Sequence, residues 1–192
     1  MAAPPACQDI TGLILAGGRG LRLGGVDKGL QTWRGRALVD HARERLAPQV
    51  REVMVSANRN TADYAARGVR VLADACGDFP GPLAGFLAGL RAASTPWVAV
   101  VPCDCPRLPP DLVARLALGL GEARGAVVQR GRIEPVCCLL STALAGDLDR
   151  YLADGGRKVQ QWVARHAVAV PFDRENDADA FINVNTPEDL AG

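Results

Sequence analysis

The stretch from Ile10 to Lys28, ITGLILAGGRGLRLGGVDK, constrains the fold more than any other part of the sequence. It opens with an apolar run, Ile10 to Ala16, whose length and β-branched content are typical of a buried parallel strand. The run then breaks into a glycine-rich segment that carries Arg19, Arg22 and Lys28. Glycines let backbone N–H groups approach a phosphate closely, and fixed cations neutralise its charge. The stretch therefore predicts a polyphosphate site at the end of the first strand, with an ordinary glycine-rich turn as the alternative.

Strands and helices alternate along the rest of the chain, which predicts a single-domain, Rossmann-like, doubly wound α/β fold with a mostly parallel sheet. Residues 1–9 are expected to be a disordered lead-in, and residues 10–192 to form the domain. One local departure is expected: two strands joined at Arg130–Arg132 predict a small antiparallel insertion. The predicted strands are Ile10–Ala16, Glu52–Asn58, Val69–Asp74, Trp97–Asp104, Ala126–Gln129, Pro135–Leu140 and Ala167–Phe172, and the predicted helices are Arg36–Ala47, Pro82–Ala93, Pro110–Ala123, Thr142–Ala153, Arg157–His166 and a last one starting at Pro187.

Three of the predicted strands end in polar residues, namely Asn58, Asp74 and Asp104. In an open parallel sheet, ligands bind outside the carboxyl ends of the strands, so these residues are expected to face the same crevice as the glycine-rich segment. Asp104 follows a nearly all-apolar strand, and a carboxylate there suits Mg²⁺ that also contacts phosphate oxygens. For each residue taken alone, a simple turn role is the alternative.

The glycine-rich segment does not match the two best-known phosphate loops. Leu23 replaces the last glycine of the dinucleotide pattern, and Asp27 and Gly29 flank Lys28 where the Walker pattern needs glycine and a hydroxyl residue. What remains, LAGGRGLRLGGVDKG, resembles the signature of nucleotidyltransferases, and most closely that of the molybdenum cofactor guanylyltransferases, a MobA-like family. The resemblance extends over residues 11–190 and includes the GPLAG motif at residues 81–85.

This resemblance implies a nucleotide-diphospho-sugar transferase-like fold and an Mg²⁺-dependent guanylyltransferase. The implied reaction transfers GMP from GTP to the terminal phosphate of molybdenum-molybdopterin, releases pyrophosphate and forms the molybdopterin guanine dinucleotide cofactor. A cytidylyltransferase for the same cofactor, a sugar-phosphate nucleotidyltransferase and a non-catalytic nucleotide-binding module remain alternatives.

The resemblance also implies roles for individual residues. Lys28, Arg22 and Asp104 are the expected catalytic residues, with Asp104 as the metal ligand. Asn183 and Asn185, in the FINVNTPE stretch, match a motif linked to the pterin substrate, although satisfying turn backbone is an equal alternative. Cys105 stands where the family pattern leads us to expect threonine or a similar polar residue. The expected nucleotide-binding residues are Leu15, Ala16, Gly17, Gly18, Lys28, Asn58, Asp74, Gly81 and Asp104.

Composition limits the classes of partner. The 192-residue chain has a net charge of +1, so no overall field favours nucleic acid or an acidic membrane. No apolar run approaches the roughly 18 residues that span a bilayer, and the first ten residues do not have a signal-peptide pattern. We therefore expect a cytoplasmic, monomeric protein whose six cysteines are reduced, and whose partners, by the resemblance, include cofactor-insertion and molybdoenzyme proteins in transient contact.

Overall fold

A seven-stranded sheet forms the centre of the structure, a computed structural model that describes residues 3–16, 26–73 and 81–191. Its strands are β1 Ile10–Leu15, β4 Glu52–Ser56, β5 Arg70–Leu72, β6 Trp97–Pro102, β7 Gly125–Arg130, β8 Arg132–Ser141 and β9 Val168–Pro171, and a separate ladder pairs β2 Thr32–Trp33 with β3 Arg36–Ala37. The strand order in the sheet is β5-β4-β1-β6-β8-β7-β9. Four of the six neighbouring pairs in this described sheet are parallel, which confirms the predicted mostly parallel sheet.

Helices cover both faces of the sheet, which confirms the doubly wound prediction. Alternate residues of each central strand point to opposite faces: in β1, Ile14 packs into one apolar core and Leu13 into the other. The helices are α1 Leu38–Leu46, α2 Thr61–Ala65, α3 Pro82–Ala92, α4 Leu112–Gly119, α5 Ala145–Ala153, α6 Val159–His166 and α7 Pro187–Ala191. The first core is completed by α1, α2 and α4, and the second by α3, α5 and α6.

The predicted antiparallel hairpin is present and turns at Gly131, which has a φ of 68°. It is part of the main sheet, because β8 lies between β6 and β7 and pairs antiparallel with both. The β2–β3 hairpin was not predicted. Its turn residues Arg34 and Gly35 both have positive φ angles, 49° and 78°, the combination that a two-residue type I′ turn requires.

Several elements differ in length from the predictions. β4 ends at Ser56 and β6 at Pro102, so Asn58 and Asp104 follow their strands by two residues instead of ending them. The expected lead-in contains one turn of 3₁₀ helix, Cys7–Asp9, directly before β1. In the part of the chain that the structure describes, none of the helices is long and apolar enough to cross a membrane.

Candidate active site

The carboxyl ends of β1, β4 and β6 lie side by side at one edge of the sheet. Leu15, the last residue of β1, is paired with Ser56 of β4 and Pro102 of β6. The backbone continues this alignment past the strands, since the N–H of Ala16 donates to the Ser56 carbonyl at 2.9 Å and the N–H of Cys103 to that of Leu15 at 3.1 Å. The backbone directly after these strands therefore lies at a common edge, in agreement with the prediction for Asn58 and Asp104.

Lys28 and Asp104 meet at this edge although they are 76 residues apart in sequence. The Lys28 Nζ donates to Asp104 Oδ2 at 2.5 Å, and 18% and 16% of the two side chains are exposed. The Coulomb attraction within an ion pair this shielded is stronger than on the open surface, because less water screens the two charges. The two residues predicted to handle phosphate and metal thus form a single charged centre.

The terminal segment, which contains Asn183 and Asn185, adds two amides to this centre. Lys28 Nζ also donates to Asn185 Oδ1, across 157 residues of sequence. The segment is fixed by backbone, because the N–H of Val184 donates to the Asp104 carbonyl at 2.9 Å. Asn183 accepts from the Cys105 thiol at 2.8 Å. Both predicted pterin-side asparagines therefore lie beside the predicted catalytic pair.

Cys105, the departure from the family pattern, acts here as a hydrogen-bond donor. Burial raises the pKa of its thiol, and the charge of Asp104 raises it further, so the sulfur stays protonated. A protonated thiol is a weak hydrogen-bond donor, and a threonine hydroxyl in this place would be a stronger one. Its contact with Asn183 joins the terminal segment to the loop that begins directly after Asp104.

The terminal segment is held by the helix start predicted at Thr186. Asp189 Oδ2 accepts from the backbone N–H groups of Asn185 at 2.8 Å and Thr186 at 2.9 Å, while the N–H of Asp189 donates to Thr186 Oγ1 at 3.2 Å. These backbone donors hold the pKa of the Asp189 carboxyl below its usual range. The capping box thus fixes the backbone of Asn185, whose side chain contacts Lys28.

Helix α3 packs unusually close to the same edge of the sheet. A Cβ atom at Gly85 would lie 2.6 Å from Ser56 Oγ and 3.0 Å from a methyl carbon of Leu15, the last residues of β4 and β1. Gly81, with a φ of 146°, and Pro82 begin the helix one turn earlier and are exposed. The last glycine of GPLAG therefore sets the approach of α3, and this approach places Gly81 beyond the strand ends.

We expect Gly85→Ala to destabilise the protein by about 1–3 kcal/mol, since the added methyl group overpacks the contact with Ser56. Urea unfolding measures this change. Gly146→Ala is the matched control, because Gly146 lies in α5 and, apart from its chain neighbours and the backbone of its own helix, no atom lies within 4 Å of its Cβ position. There alanine should stabilise by about 0.4–1 kcal/mol. Equal stabilisation by both substitutions would contradict the close-packing explanation.

The remaining predicted site residues, the catalytic Arg22 among them, fall into two groups. Leu15 is partly buried, Ala16 is buried, and Asn58 is exposed two residues after β4, all at the carboxyl edge. Gly17, Gly18, Arg22 and Asp74 lie outside the described residues, so their predicted roles stay predictions.

Three residues that contact one another beside Lys28 were not predicted from the sequence: Asp27, Asn60 and Tyr64. Asp27 is 7% exposed, and its carboxylate accepts from the Tyr64 hydroxyl at 2.6 Å and the Asn60 amide at 3.0 Å. Asp27 entered the sequence argument only as a mismatch to the Walker pattern. The sequence signal for Asp27 is a carboxylate immediately before Lys28. Tyr64 lies in α2, which has only five residues and too little periodicity to be predicted.

A magnesium ion fits this arrangement through one protein carboxylate. Asp104 Oδ2 faces Lys28, while Oδ1 has only a 4.0 Å contact with the Cys105 sulfur among the described partners. No cluster of three or more His, Cys, Asp or Glu side chains that could hold a metal occurs within residues 3–16, 26–73 and 81–191. One carboxylate completed by water and substrate phosphates is a common way for proteins to bind Mg²⁺, so the donor set suits a metal that arrives with a nucleotide.

Known proteins resemble this chain both in sequence and in fold. The chain is 51% identical to molybdenum cofactor guanylyltransferase of Ralstonia nicotianae, with 95% of each chain covered, and 52% identical to that of Bordetella petrii, again with 95% of each covered. Its fold matches molybdopterin-guanine dinucleotide biosynthesis protein A from Archaeoglobus fulgidus with a TM-score of 0.79 at 22% identity, covering 94% and 95% of the two chains.

A second solved structure extends the match in fold. It is 2-C-methyl-D-erythritol 4-phosphate cytidylyltransferase from Thermus thermophilus, with a TM-score of 0.68 at 19% identity and 93% and 94% coverage. Residues 12–170 match the sequence model of the MobA-like NTP transferase domain. This match spans well over half of the sequence, and the chain therefore belongs to the MobA-like NTP transferase family.

Proposed function

We propose that this protein transfers GMP from GTP to the terminal phosphate of molybdenum-molybdopterin. The products are pyrophosphate and the molybdopterin guanine dinucleotide cofactor. The observation that carries the proposal is the meeting of Lys28, Asp104 and Asn185 at the carboxyl edge of the sheet. It joins the residues expected on the nucleotide side to one expected on the pterin side, in a chain about half identical to curated guanylyltransferases.

In this reaction an oxygen of the acceptor phosphate attacks the α-phosphorus of GTP. A bond forms between that oxygen and the phosphorus, and the bond from the α-phosphorus to the bridging oxygen breaks as pyrophosphate leaves. The second pKa of a phosphate monoester is about 6, so the acceptor is already largely ionised at pH 7 and needs no general base. The protein must instead bring two anions together in line and offset their repulsion.

Lys28 is the described cation best placed for this task. Its ammonium group is a compact point charge held by two acceptors, and it neutralises the departing phosphates without covalent chemistry. Asp104 would hold Mg²⁺. When bound, that ion supplies further positive charge to the phosphate oxygens. Asn185 holds the lysine side chain in place from the side of the terminal segment.

The choice of base rests on the GPLAG stretch. Gly81 is exposed at the start of α3, and its backbone, stiffened by Pro82, offers donors and acceptors for a guanine edge. Asn58 contributes an amide at the same edge of the sheet.

The test of the proposal is to incubate the protein with each nucleoside triphosphate in turn, together with Mg²⁺ and molybdenum-loaded cofactor, and to measure the release of pyrophosphate. We expect release with GTP and background rates with ATP, CTP and UTP. Release with CTP instead would overturn the base assignment and make the protein a cytidylyltransferase. If none of the four nucleotides releases pyrophosphate, although GTP binds in a calorimetric titration, the transferase proposal is contradicted and a non-catalytic nucleotide-binding module is favoured.

A further inference from the structure

Asp27 is a buried carboxylate directly before Lys28 in the chain. Only 7% of the residue is exposed, and its side chain accepts three hydrogen bonds: from the Tyr64 hydroxyl at 2.6 Å, from Asn60 Nδ2 at 3.0 Å and from the Gly29 N–H at 3.2 Å. A carboxylate removed from water is costly unless donors replace the water. The three donors replace it and leave the carboxylate little freedom to move.

These contacts fix the backbone on both sides of Lys28. Asp27 and Gly29 are its neighbours in sequence, and each is tied to the same cluster. Tyr64 is fully buried, and its hydroxyl lies so close to Gly29 that a side chain there would collide with it. Residues 28–30 form a single turn of 3₁₀ helix, closed by the Leu30 N–H donating to the Asp27 carbonyl at 3.2 Å.

The cluster also connects two parts of the proposed nucleotide site. Asn60 lies two residues after Asn58, immediately before α2, with a φ of 49° that asparagine tolerates better than most residues. Through Asp27, the loop that carries Asn58 is joined to the residue that precedes Lys28. On the other side of the backbone, the Lys28 ammonium reaches Asp104 and Asn185.

We propose that the Asp27–Asn60–Tyr64 cluster is a positioning device that sets where the Lys28 ammonium lies relative to Asp104 and the nucleotide loop. The inference rests on the proposed function for its catalytic consequence. Its structural content, control of Lys28 by residues that contribute no side chain to the contacts among Lys28, Asp104 and Asn185, does not depend on that function. A displacement of about 1 Å in a catalytic group can cost about 10²-fold in rate, so loosening the cluster lowers turnover without removing any group from the site.

Tyr64→Phe tests this with the smallest change, because it removes the hydroxyl and keeps the ring. We expect the turnover number for GMP transfer to fall about tenfold, while KM for GTP stays within about twofold and the melting temperature falls by a few degrees. Tyr151→Phe is the matched control. Tyr151 is the other tyrosine, and its hydroxyl bonds to the Lys158 carbonyl and to Gln161 near the surface. Asp27→Asn, which places an amide among donors, should lower turnover further.

A second measurement reads the position of Lys28 without activity. Lys28 and Lys158 are the two lysines of the sequence, so competitive acetylation with acetic anhydride, followed by mass spectrometry of the peptides, compares them directly. In the unmodified protein Lys28 should react more slowly than the exposed Lys158. Only 18% of the Lys28 side chain is exposed, and its Nζ donates to both Asp104 and Asn185. In Tyr64→Phe the Lys28 rate should rise several-fold while the Lys158 rate stays constant.

The two readouts separate the possible failures. If the unmodified protein transfers no GMP, the proposed function fails, and the acetylation ratio still decides the inference. If Tyr64→Phe lowers the melting temperature but leaves both turnover and Lys28 acetylation unchanged, the cluster is only structural and the inference is wrong. If turnover falls and Lys28 acetylation rises, as expected, the cluster positions the lysine.

Discussion

Asp104→Ala is expected to lower the turnover number for GMP transfer by about 10²- to 10³-fold while GTP binding survives in part. The substitution removes the proposed metal carboxylate and the acceptor of the 2.5 Å ion pair with Lys28. Contacts to the base and ribose are expected from Asn58 and the start of α3, which the substitution does not touch. Steady-state pyrophosphate release gives the turnover number, and calorimetric titration with GTP gives the affinity.

The control for Asp104 is an ion pair of similar geometry far less shielded from water. Arg91 and Asp149 lie 2.8 Å apart with 45% and 49% of their side chains exposed. Asp149→Ala should leave turnover unchanged, since such exposed pairs contribute only about 0–1 kcal/mol to stability. Asp104→Asn keeps the side-chain volume and should raise the Mg²⁺ concentration needed for half-maximal activity. Turnover within twofold of the unmodified protein for Asp104→Ala would show that the metal assignment is wrong.

The parts of this molecule that the sequence predicted are those with strong local signals. Buried parallel strands are apolar runs, so β1 and β6 were recognised directly, and the helix start at Thr186 was found from its capping pattern. The topological rule that ligands bind beyond the carboxyl ends of parallel strands then placed Asp104 at the site, and the structure brings it to Lys28.

What the sequence did not predict depends on contacts between distant residues. Asn185 reaches Lys28 across 157 positions, and Tyr64 reaches Asp27 across 37, through packing that no local pattern encodes. Asp27 has the composition of an ordinary loop residue, and only its burial and its three donors distinguish it. Cys105 was read as a departure from the family pattern, whereas the structure gives its thiol a polar partner in Asn183.

Lys28→Ala is expected to lower turnover by about 10²-fold or more, because the remaining cations do not replace a point charge at the departing phosphates. The loss should appear in the turnover number more than in KM for GTP, since the charge that develops on pyrophosphate is greatest in the transition state. Arg91→Ala is the matched control, as it removes a cation from the exposed pair with Asp149 and should leave turnover unchanged. An unchanged turnover number for Lys28→Ala would overturn the role given to this residue.

Combining the two substitutions tests whether Lys28 and Asp104 act as a unit. Because each partner holds the other at 2.5 Å, either single substitution already leaves a displaced charge in the site. The Lys28→Ala, Asp104→Ala double variant should therefore be only slightly slower than the worse single variant, as for groups that function together. Losses that multiply would mean that the two residues act independently. Lys28→Arg should recover little activity, because a planar guanidinium does not fit the place of a compact ammonium held between Asp104 and Asn185.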